Sequence, residues 1–374
     1  MPWPRKVATA TTPYALGAMT APTRSVPVPA SLVLVAERVE LRLREMLDAE
    51  IERWSALDDG LGEPLRSLQT FVLDGGKRLR PAFCHWGFVS AGGDGHDARI
   101  VEAGAAFELL QAFALVHDDV MDGSATRRGR PAVHVEYADR HDAAGWRGEA
   151  RRFGEGVAVL IGDLAHVYAD RFMTNAPDDA MMIWNELRVE LNVGQYLDVV
   201  GTARADTDLT RARRIARYKS GKYTIERPLH VGAAIAGRYH DLHQPLSGYG
   251  DPLGEAFQLR DDLLGAFGDE AQTGKPVGDD LREGKPTPLL AIASERARGD
   301  ELTLLSLVGS AELSPEDITA VQDVLVSTGA VAEIETTIDR LTRTAIAAIE
   351  SAPVTAEASA ALVELAEYVA WRDK

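Results

Sequence analysis

Three carboxylates end an apolar stretch near residue 120 and could together hold a divalent cation. The stretch reads Gln111-Ala-Phe-Ala-Leu-Val-His-Asp-Asp-Val-Met-Asp122, and its acids are Asp118, Asp119 and Asp122. Asp118 and Asp122 are four residues apart, so on a helix they lie one turn apart on the same face. Carboxylates at a helix C-terminus face the negative end of the macrodipole, which costs roughly 0.3–1 kcal/mol each. Oxygen ligands of this kind suit Mg²⁺, which often bridges carboxylates to substrate phosphates, although a solvated acidic helix end gives the same pattern.

A second apolar stretch ends in the same way. Residues 257–265 read Phe-Gln-Leu-Arg-Asp-Asp-Leu-Leu-Gly, which places Asp261 and Asp262 after an apolar helical run. A glycine-rich, charged segment follows at residues 274–285 and is predicted to be a long loop of the kind that often covers an active site.

Three clusters of basic residues accompany these acids. Each could be an ordinary solvated surface, in which ion pairs contribute little to stability. Next to the carboxylates, they could also hold a diphosphate between bound metal ions and cationic side chains. The clusters are Lys77 and Arg80 after two glycines, Arg127 and Arg128 just beyond the first acids, and Lys219 and Lys222 on either side of Gly221, where a break in the helix is predicted.

The length, net charge and cysteine content of the chain exclude several classes of protein. The 374 residues suffice for one large domain or two ordinary ones, and 45% are hydrophobic. The net charge of −17 argues against binding to nucleic acid or an anionic membrane through bulk charge. Cys84 is the only cysteine, so no internal disulfide can form, and we expect a cytoplasmic protein. The longest apolar runs are too short to span a bilayer, so no stable membrane anchor is expected.

The pattern along the chain is helical. Residues 1–30, rich in Pro, Thr and Ala, are predicted to be a disordered or loosely attached leader, and residues 31–374 a single domain. No segment shows sustained strand alternation, so the fold class is all-α. Helices are expected over residues 98–122 and 157–172, and a polar, glycine-containing loop over residues 140–156.

Taken in order, these segments resemble the trans-isoprenyl diphosphate synthases, also called polyprenyl synthetases, and most of all the bacterial geranylgeranyl and farnesyl diphosphate synthases. The resemblance runs from about residue 31 to the end of the chain. It implies a bundle of long helices around a deep central cavity, with the two acidic helix ends facing each other at its mouth. The residues that carry it are 75–81, 118–122, 127–131, 218–220, 257–262, 274–275 and 284–285.

The resemblance also implies a reaction. An allylic diphosphate (dimethylallyl, geranyl or farnesyl) ionises, the double bond of isopentenyl diphosphate attacks the cation, and a proton is lost. This head-to-tail prenyl transfer would use Mg²⁺, up to three ions, and would give a short-chain product, geranylgeranyl diphosphate first and farnesyl diphosphate or a longer chain as alternatives. A homodimer is implied as well.

Site residues follow from the same resemblance. The metal ligands implied are Asp118, Asp119, Asp122, Asp261 and Asp262. The contacts implied for the allylic diphosphate are Arg127, Lys219, Gln258, Lys275 and Lys285, with the Ser220 hydroxyl beside the cation. The contacts implied for isopentenyl diphosphate are Lys77, Arg80, Gln111 and Arg128. The residues on which catalysis is expected to depend are Asp118, Asp122, Arg127, Lys219, Gln258 and Asp261.

Two positions bear on how this chain differs within the family. Gly265 stands where the second acidic motif usually has a third carboxylate, so metal binding there could be weaker unless Asp269 or a water substitutes. Upstream of Asp118, small Ala114 leaves room for a growing chain, and the ring of Phe113 is a candidate wall that sets product length, although it could equally be an ordinary core residue.

Two other functions share some of these features. A class I terpene cyclase is also all-α with an acidic motif, but it usually carries a serine-containing metal motif on the opposite side, which residues 261–269 lack. A non-catalytic subunit of a heteromeric synthase would be expected to have degraded acidic motifs, whereas the first one here is intact.

Overall fold

The computed structural model describes residues 26–268, 277–310 and 313–372, and these residues fold almost entirely into helices, which confirms the all-α prediction. Numbered in chain order, the helices are α1 (Ala30–Ser55), α2 (Glu63–Leu73), α3 (Leu79–Ser90), α4 (Ala98–Asp122), α5 (Val133–Ala144), α6 (Ala150–Met173), α7 (Asp178–Ala203), α8 (Leu209–Ile215), α9 (Arg227–Ile235), α10 (Tyr239–Phe267), α11 (Asp279–Glu283), α12 (Pro288–Arg296), α13 (Asp300–Leu305), α14 (Pro315–Ser327), α15 (Ala330–Glu350) and α16 (Ala356–Trp371).

Three short elements depart from the α-helical pattern. A 3₁₀ turn, Asp59–Gly62, joins α1 to α2. The strands β1 (Thr126–Arg127) and β2 (Arg130–Pro131) form a small antiparallel hairpin directly after α4. A π-helical segment, Ala216–Glu226, continues α8 into α9. Because π-helical turns occur frequently at functional sites, this last segment makes the lysines that it carries candidates for a functional role.

The helices that end in carboxylates are held by different partners. Helix α4 packs most extensively against α6 and also contacts α1 and α3. Its middle is buried on most sides, and Phe107 meets Trp184 of α7 edge-on with ring centroids 5.3 Å apart. Helix α10 packs most extensively against α15 and the π-helical segment. The positions of the two acidic ends are therefore fixed by separate parts of the core.

In the basic cluster at residues 77–80, Arg78 is buried in the core, whereas Arg80 lines a cavity. Arg78 has a positive φ of 51° at the start of α3, and its side chain is buried. Its guanidinium donates to Glu40 (3.0 Å), to the Val72 carbonyl (2.7 Å) and to the buried Glu108. Arg78 thus links α1, α2 and α4 within the core.

Two local predictions are wrong. Most of residues 140–156, predicted as a loop, belongs to α5 and α6, and the break between them covers only residues 145–149, where Gly145 and Gly148 have positive φ. Exposed polar faces, rather than a loop, produce the polar pattern. The glycine break expected at Gly221 is also absent, since the chain stays helical through the π segment. The leader prediction concerns mostly residues 1–25, which lie outside the described residues.

Within the part of the chain that the structure describes, one helix, α4, is long and apolar enough to cross a bilayer if length and composition alone are considered. Its most apolar window is 61% buried within the protein, which is typical of a core helix.

A close crossing of α3 and α9 gives a test of this packing. A Cβ on Gly232 would lie 2.0 Å from the Cys84 carbonyl oxygen and 2.6 Å from the Phe88 nitrogen, both backbone atoms. We expect Gly232→Ala to lower the free energy of unfolding by about 1–3 kcal/mol, since the helices must separate. As a control, Gly156→Ala, on an exposed face of α6 with nothing within 4 Å, should be neutral or stabilising by up to about 1 kcal/mol. Urea denaturation measures the free energy of unfolding of both variants. Equal changes in the two variants would contradict the close packing of α3 and α9.

Candidate active site

The two acidic helix ends face one cavity of about 280 Å³. Helix α4 contributes its last turns, α10 its second half, and the π-helical segment and α11 close the sides. The structure thus brings together most of the side chains that the sequence analysis singled out. Those lining the cavity are Arg80, Gln111, Asp118, Lys219, Ser220, Gln258, Asp261, Asp262 and Lys285.

Asp118 is held between an amide and a lysine. Its Oδ1 accepts from Gln195 Nε2 at 2.8 Å and from Lys219 Nζ at 3.0 Å. The same ammonium donates to the buried Asp198. Burial opposes ionisation of Asp118, but the positive charges of Lys219, Lys285 and Arg127 outweigh it and lower the pKa of this carboxyl. Asp118 is therefore an anion held in place by cations.

Asp119 turns away from the cavity. It is 1% exposed and accepts two hydrogen bonds from Arg127 Nε, at 2.9 and 3.2 Å, with a further bond from Nη2. Burial works against the charge of Arg127, yet the neighbouring Asp119 raises the pKa of the guanidinium. In this structure the residue fixes Arg127 in the hairpin beside the cavity.

Lys285 connects the acidic end of α4 to α11. Its Nζ lies 3.3 Å from Asp122 Oδ2 and 3.8 Å from Asp280 Oδ1, and it also pairs with Glu283. Burial alone would lower its pKa, but these three carboxylates raise the pKa of Lys285 well above its usual value. The segment that follows α11 is thereby anchored to the end of α4.

The second acidic end contains two different carboxyls. Asp261 is paired with Arg372, whose guanidinium carbon also lies 4.3 Å from the centre of the Phe257 ring. Asp262 is 5% exposed, and its Oδ1 accepts from Gln258 Nε2 at 2.7 Å while its Oδ2 has no hydrogen-bond partner. Burial raises the pKa of Asp262 well above the usual value for a carboxyl, so here it favours the protonated form.

Lys77 and Arg80 supply two cations on the side of Asp261. Arg80 Nη2 donates to Thr224 Oγ1 at 2.8 Å, and its guanidinium carbon lies 4.3 Å from the centre of the Tyr223 ring. Burial and, to a lesser extent, the positive charge of Arg372 lower the pKa of Lys77 to about 8, although Asp261 opposes both. An anionic ligand beside Lys77 would favour its charged form and raise its pKa.

Lys77, Asp119, Asp122 and Arg127 border this cavity without lining it, and four further expected site residues lie elsewhere or cannot be placed. Arg128 Nη1 donates to the carbonyls of Phe71 (3.0 Å) and Asp74 (2.9 Å), and it lines a separate hollow of about 290 Å³ between α2 and the hairpin. Phe113 stacks on His166 of α6 with ring centroids 4.8 Å apart, and the cavity lining on α4 includes neither it nor Ala114. Lys275 lies outside the described residues.

Some residues in the site were not predicted as members of it. Asp198 is the clearest case, because a buried acid in the apolar sequence of α7 was a signal that could have been followed. Its neighbour Gln195 precedes it by three residues and shares its helix face. The other contacts depend on the tertiary fold. The residues missed are Gln195, Asp198, Asp280, Glu283 and Arg372.

The arrangement is suited to a divalent cation with a diphosphate, and side-chain cations pair with its acids. Among the described residues, no three carboxylate, histidine or cysteine side chains are grouped closely enough to hold a metal ion as they stand. Instead Lys219, Lys285 and Arg372 each contact a carboxylate that lines or borders the cavity. The ligands are all oxygens, as Mg²⁺ prefers, and the buried, unpartnered Oδ2 of Asp262 is consistent with a water or ion beyond it. The residues present therefore fit a magnesium site.

Comparisons with known proteins agree with this geometry. A sequence profile described as polyprenyl synthetase matches residues 64–325. A geranylfarnesyl diphosphate synthase from Aeropyrum pernix is 32% identical over 68% of this chain and 77% of its own length. A geranylgeranyl diphosphate synthase from Sulfolobus acidocaldarius is 34% identical over 67% of this chain and 73% of its own.

The solved structures agree as well. A geranylgeranyl pyrophosphate synthase from Corynebacterium glutamicum, complexed with isoprenyl diphosphate and magnesium, superposes with a TM-score of 0.86 at 38% identity. The match covers 91% of this chain and 99% of that one.

The lowered pKa of Lys77 predicts a gain in stability when its charge is removed. Below pH 8 the buried lysine is charged in both the folded and the unfolded state, so the folded state carries the full cost of burial. We expect Lys77→Met to raise the free energy of unfolding by about 1–3 kcal/mol at pH 7. Between pH 8 and pH 10 the folded lysine becomes neutral first, so the difference should shrink.

Urea denaturation of both proteins at pH 7 and pH 10 measures this difference. Lys222→Met is a useful comparison, since Lys222 is paired with Glu190 at 2.8 Å and its loss should destabilise. A Lys77→Met protein that is less stable than the wild type at pH 7, or whose difference does not change with pH, would contradict the assignment.

Proposed function

The chain belongs to the polyprenyl synthetase family and is a trans-prenyltransferase, and we propose that it condenses isopentenyl diphosphate with an allylic diphosphate to give mainly geranylgeranyl diphosphate. The observation that carries this proposal is the shared cavity: Asp118 from α4 and Asp261 from α10 face it together with Lys219 and Gln258. Two acidic helix ends and several cations around one cavity suit a reaction in which diphosphate leaves.

Mg²⁺ would be held by Asp118 and Asp122 on one side and by Asp261 on the other, with Asp262 joining once a cation favours its ionised form. When bound, the ions neutralise the charge that develops on the departing diphosphate. The number of ions, up to three, is part of the proposal. Asp119 acts differently in our account, because its bonds to Arg127 fix the guanidinium for the same diphosphate.

Lys219, Lys285 and Arg127 would contact the allylic diphosphate. Each has a raised pKa and stays charged through the physiological range, so each can stabilise the leaving group without losing its proton. Lys219 and Lys285 already contact carboxylates around the cavity, and only a change of side-chain torsions is needed for the ammonium groups to follow a phosphate oxygen. Lys275 is a further candidate from the sequence.

Isopentenyl diphosphate would lie on the side of Lys77, Arg80 and Gln111. Arg80 is held by Thr224 and by the Tyr223 ring, which leaves part of its guanidinium for phosphate oxygens. Arg128 joins this set only if its side chain leaves the carbonyls of Phe71 and Asp74. The Ser220 hydroxyl and the Gln258 amide carbonyl would stabilise the allylic cation, because both are polar but weak nucleophiles.

The C20 product is supported by the similarity of the chain to geranylgeranyl diphosphate synthases. The similarity to a geranylfarnesyl diphosphate synthase keeps a longer product as the second candidate. Phe113 remains our candidate for the wall that sets length: it stacks on His166 and contacts His117 edge-on, so its ring is held between α4 and α6. Ala114 would leave room beside it.

A direct assay tests the proposed function. Purified protein is incubated with Mg²⁺, isopentenyl diphosphate and one primer at a time, either dimethylallyl, geranyl or farnesyl diphosphate, and the products are separated by chain length. We expect condensation that EDTA abolishes, with a C20 product predominating. Asp118→Asn should lower kcat by roughly 100-fold or more, since it removes charge stabilisation at the leaving group.

Asp323→Asn is the control for that variant, because Asp323 lies on an exposed face of α14 away from the cavity. It should react at the wild-type rate. No condensation with any primer would overturn the proposed function, and a cyclic hydrocarbon from a single allylic substrate would favour the terpene cyclase alternative.

Replacing Phe113 tests the wall. If the ring between α4 and α6 stops the growing chain, Phe113→Leu should shift the products partly and Phe113→Ala further towards chains longer than C20. Product-chain analysis on the same three primers measures the shift. Unchanged product lengths in both variants would remove Phe113 from the account of chain length.

We propose also that the protein is a homodimer that acts in the cytoplasm. The dimer is supported by an exposed apolar face on α6 and α7. Its side chains are each 47–68% exposed, and they are Leu160, Val167, Val189, Val193 and Tyr196. Adjacent α6 and α7 share this face, since Arg188 contacts both His166 and Asp170. An apolar surface of this kind commonly marks a protein–protein interface.

Sedimentation velocity tests the dimer. We expect the mass of two chains at micromolar concentration, and a shift towards one chain in Val193→Glu, which would place a charge in the interface. Leu34→Glu is the matched control, because Leu34 is 63% exposed on α1 and should leave the dimer intact. A wild type that sediments as a monomer, or a Val193→Glu protein that stays dimeric, would contradict this interface.

A further inference from the structure

The π-helical segment carries two lysines that meet different partners. Lys219 lines the cavity and contacts Asp118 and Asp198, whereas Lys222 pairs with Glu190 of α7, which does not line the cavity. Resting on the proposed function, in which Lys219 contacts the allylic diphosphate, we propose that Glu190 is a positioning residue. It holds the π-helical segment in the register that places the Lys219 ammonium group at the cavity.

Glycines let the π-helical segment lie very close to the helices on both sides. A Cβ on Gly194 of α7 would lie 2.4 Å from the Lys219 nitrogen, and one on Gly254 of α10 would lie 2.8 Å from the Gly221 carbonyl oxygen. These approaches set the distances between the backbones. Packed helices resist sliding because their side chains interlock, and a glycine has no side chain to interlock with a neighbour. The register of the segment must therefore be fixed by other residues.

Glu190 accepts three hydrogen bonds from cations at the far end of the segment. Its Oε1 accepts from Lys222 Nζ at 2.8 Å and from Arg227 Nη2 at 2.7 Å, and its Oε2 accepts from Arg227 Nε at 2.7 Å. Arg227 begins α9, directly after the π-helical segment. A carboxylate that binds a guanidinium through both oxygens fixes its orientation as well as its position. Glu190 therefore anchors the end of the segment to α7.

This ion network is buried and reaches the helix on the other side. Glu190 is 9% exposed, and although burial opposes its ionisation, Arg227 and Lys222 outweigh burial and lower the pKa of the carboxyl. Lys222 Nζ also lies 3.6 Å from Glu226 Oε2, and Glu226 Oε1 accepts from Ser247 Oγ of α10 at 2.6 Å. The network thus ties the segment to both α7 and α10.

The contacts of Glu190 differ from those of Lys219 in one respect that matters for binding. In the proposed function the Lys219 ammonium group moves from Asp118 to a phosphate oxygen, so its contact with α4 is given up. Glu190 and its partners lie outside the cavity, and substrate does not compete for them. Glu190, Gly194 and Asp198 recur every four residues on one side of α7. Glu190 can therefore keep the Lys219 backbone in place while the side chain changes partner.

A purely structural role for Glu190 is the alternative, and Glu50 provides the comparison. Glu50 is 5% exposed and accepts hydrogen bonds from Tyr168 at 3.0 Å and Arg171 at 2.6 Å, none of which lines the cavity. Loss of either carboxylate should lower the melting temperature, because donors in the core lose an ionised partner. Only the loss of Glu190 should also change the binding of an allylic diphosphate.

Calorimetric titration with Mg²⁺ and a non-ionising thiolo analogue of dimethylallyl diphosphate measures this binding. We expect Glu190→Gln, which keeps the shape of the side chain, to weaken the analogue by about 10-fold, since a small displacement of a positioned group is costly. Glu50→Gln is the matched control and should bind the analogue within about twofold of the wild type.

A double-mutant cycle tests whether Glu190 acts through Lys219. Lys219→Met should weaken the analogue by about 10–100-fold, because a charged contact to phosphate is lost. Adding Glu190→Gln to that variant should then cost no more than about twofold, since the group that Glu190 positions is already gone. If Glu190→Gln does not fold, Lys222→Met replaces it in the cycle: it removes one of the three bonds to Glu190 and should show a smaller effect with the same dependence on Lys219.

Deuterium exchange tests the hold on the segment without any substrate. The amides of residues 216–226 should exchange about 10-fold faster in Glu190→Gln than in the wild type, because local opening becomes easier. In Glu50→Gln these amides should exchange at the wild-type rate.

The outcomes separate this inference from the proposed function. Unchanged exchange in a folded Glu190→Gln protein would overturn the role of Glu190, and so would a double variant in which the two single effects on analogue binding simply multiply. Wild-type protein that condenses the primers would leave the proposed function standing in both cases. Wild-type protein without condensation would instead overturn the proposed function itself.

Discussion

Repulsion among carboxylates around one cavity is the constraint on which the rest of the structure depends. Two helices end in acids, where the negative ends of their dipoles already oppose negative charge. The protein offsets this with its own cations: Lys219 lies between Asp118 and Asp198, Lys285 reaches Asp122, and Arg372 covers Asp261. These ion pairs allow the two helix ends to face the same cavity.

These cations come from parts of the chain that are far apart in sequence, so neutralisation also ties the fold together. Lys219 comes from the π-helical segment, Lys285 follows α11, and Arg372 follows the last helix. Each fastens its element to an acidic end. In our account the same side chains bind diphosphate once metal ions take over the carboxylates. The close packing elsewhere, such as the crossing of α3 and α9, supplies stability that the charged cavity does not.

The sequence predicted well what depends on local periodicity. Helix α4 was expected over residues 98–122 and is found there, because its apolar pattern ends at acids followed by Gly123. Residues 140–156 were misread, since exposed polar faces of α5 and α6 resemble a loop in composition. Most of the polar residues that line the cavity were predicted, because their motifs are local. The contacts of Asp280 and Arg372 could not be predicted, because they depend on how distant helices pack.

The measurement that tests the central claim most directly is a crystal structure with Mn²⁺ and a non-ionising thiolo analogue of an allylic diphosphate, using anomalous scattering to locate the metal. Our account predicts anomalous peaks beside Asp118 and Asp261, with the diphosphate between them and the ammonium groups of Lys219 and Lys285 moved onto phosphate oxygens. Diphosphate bound instead in the hollow beside Arg128, with both lysines still on their carboxylates and no metal in the cavity, would contradict it.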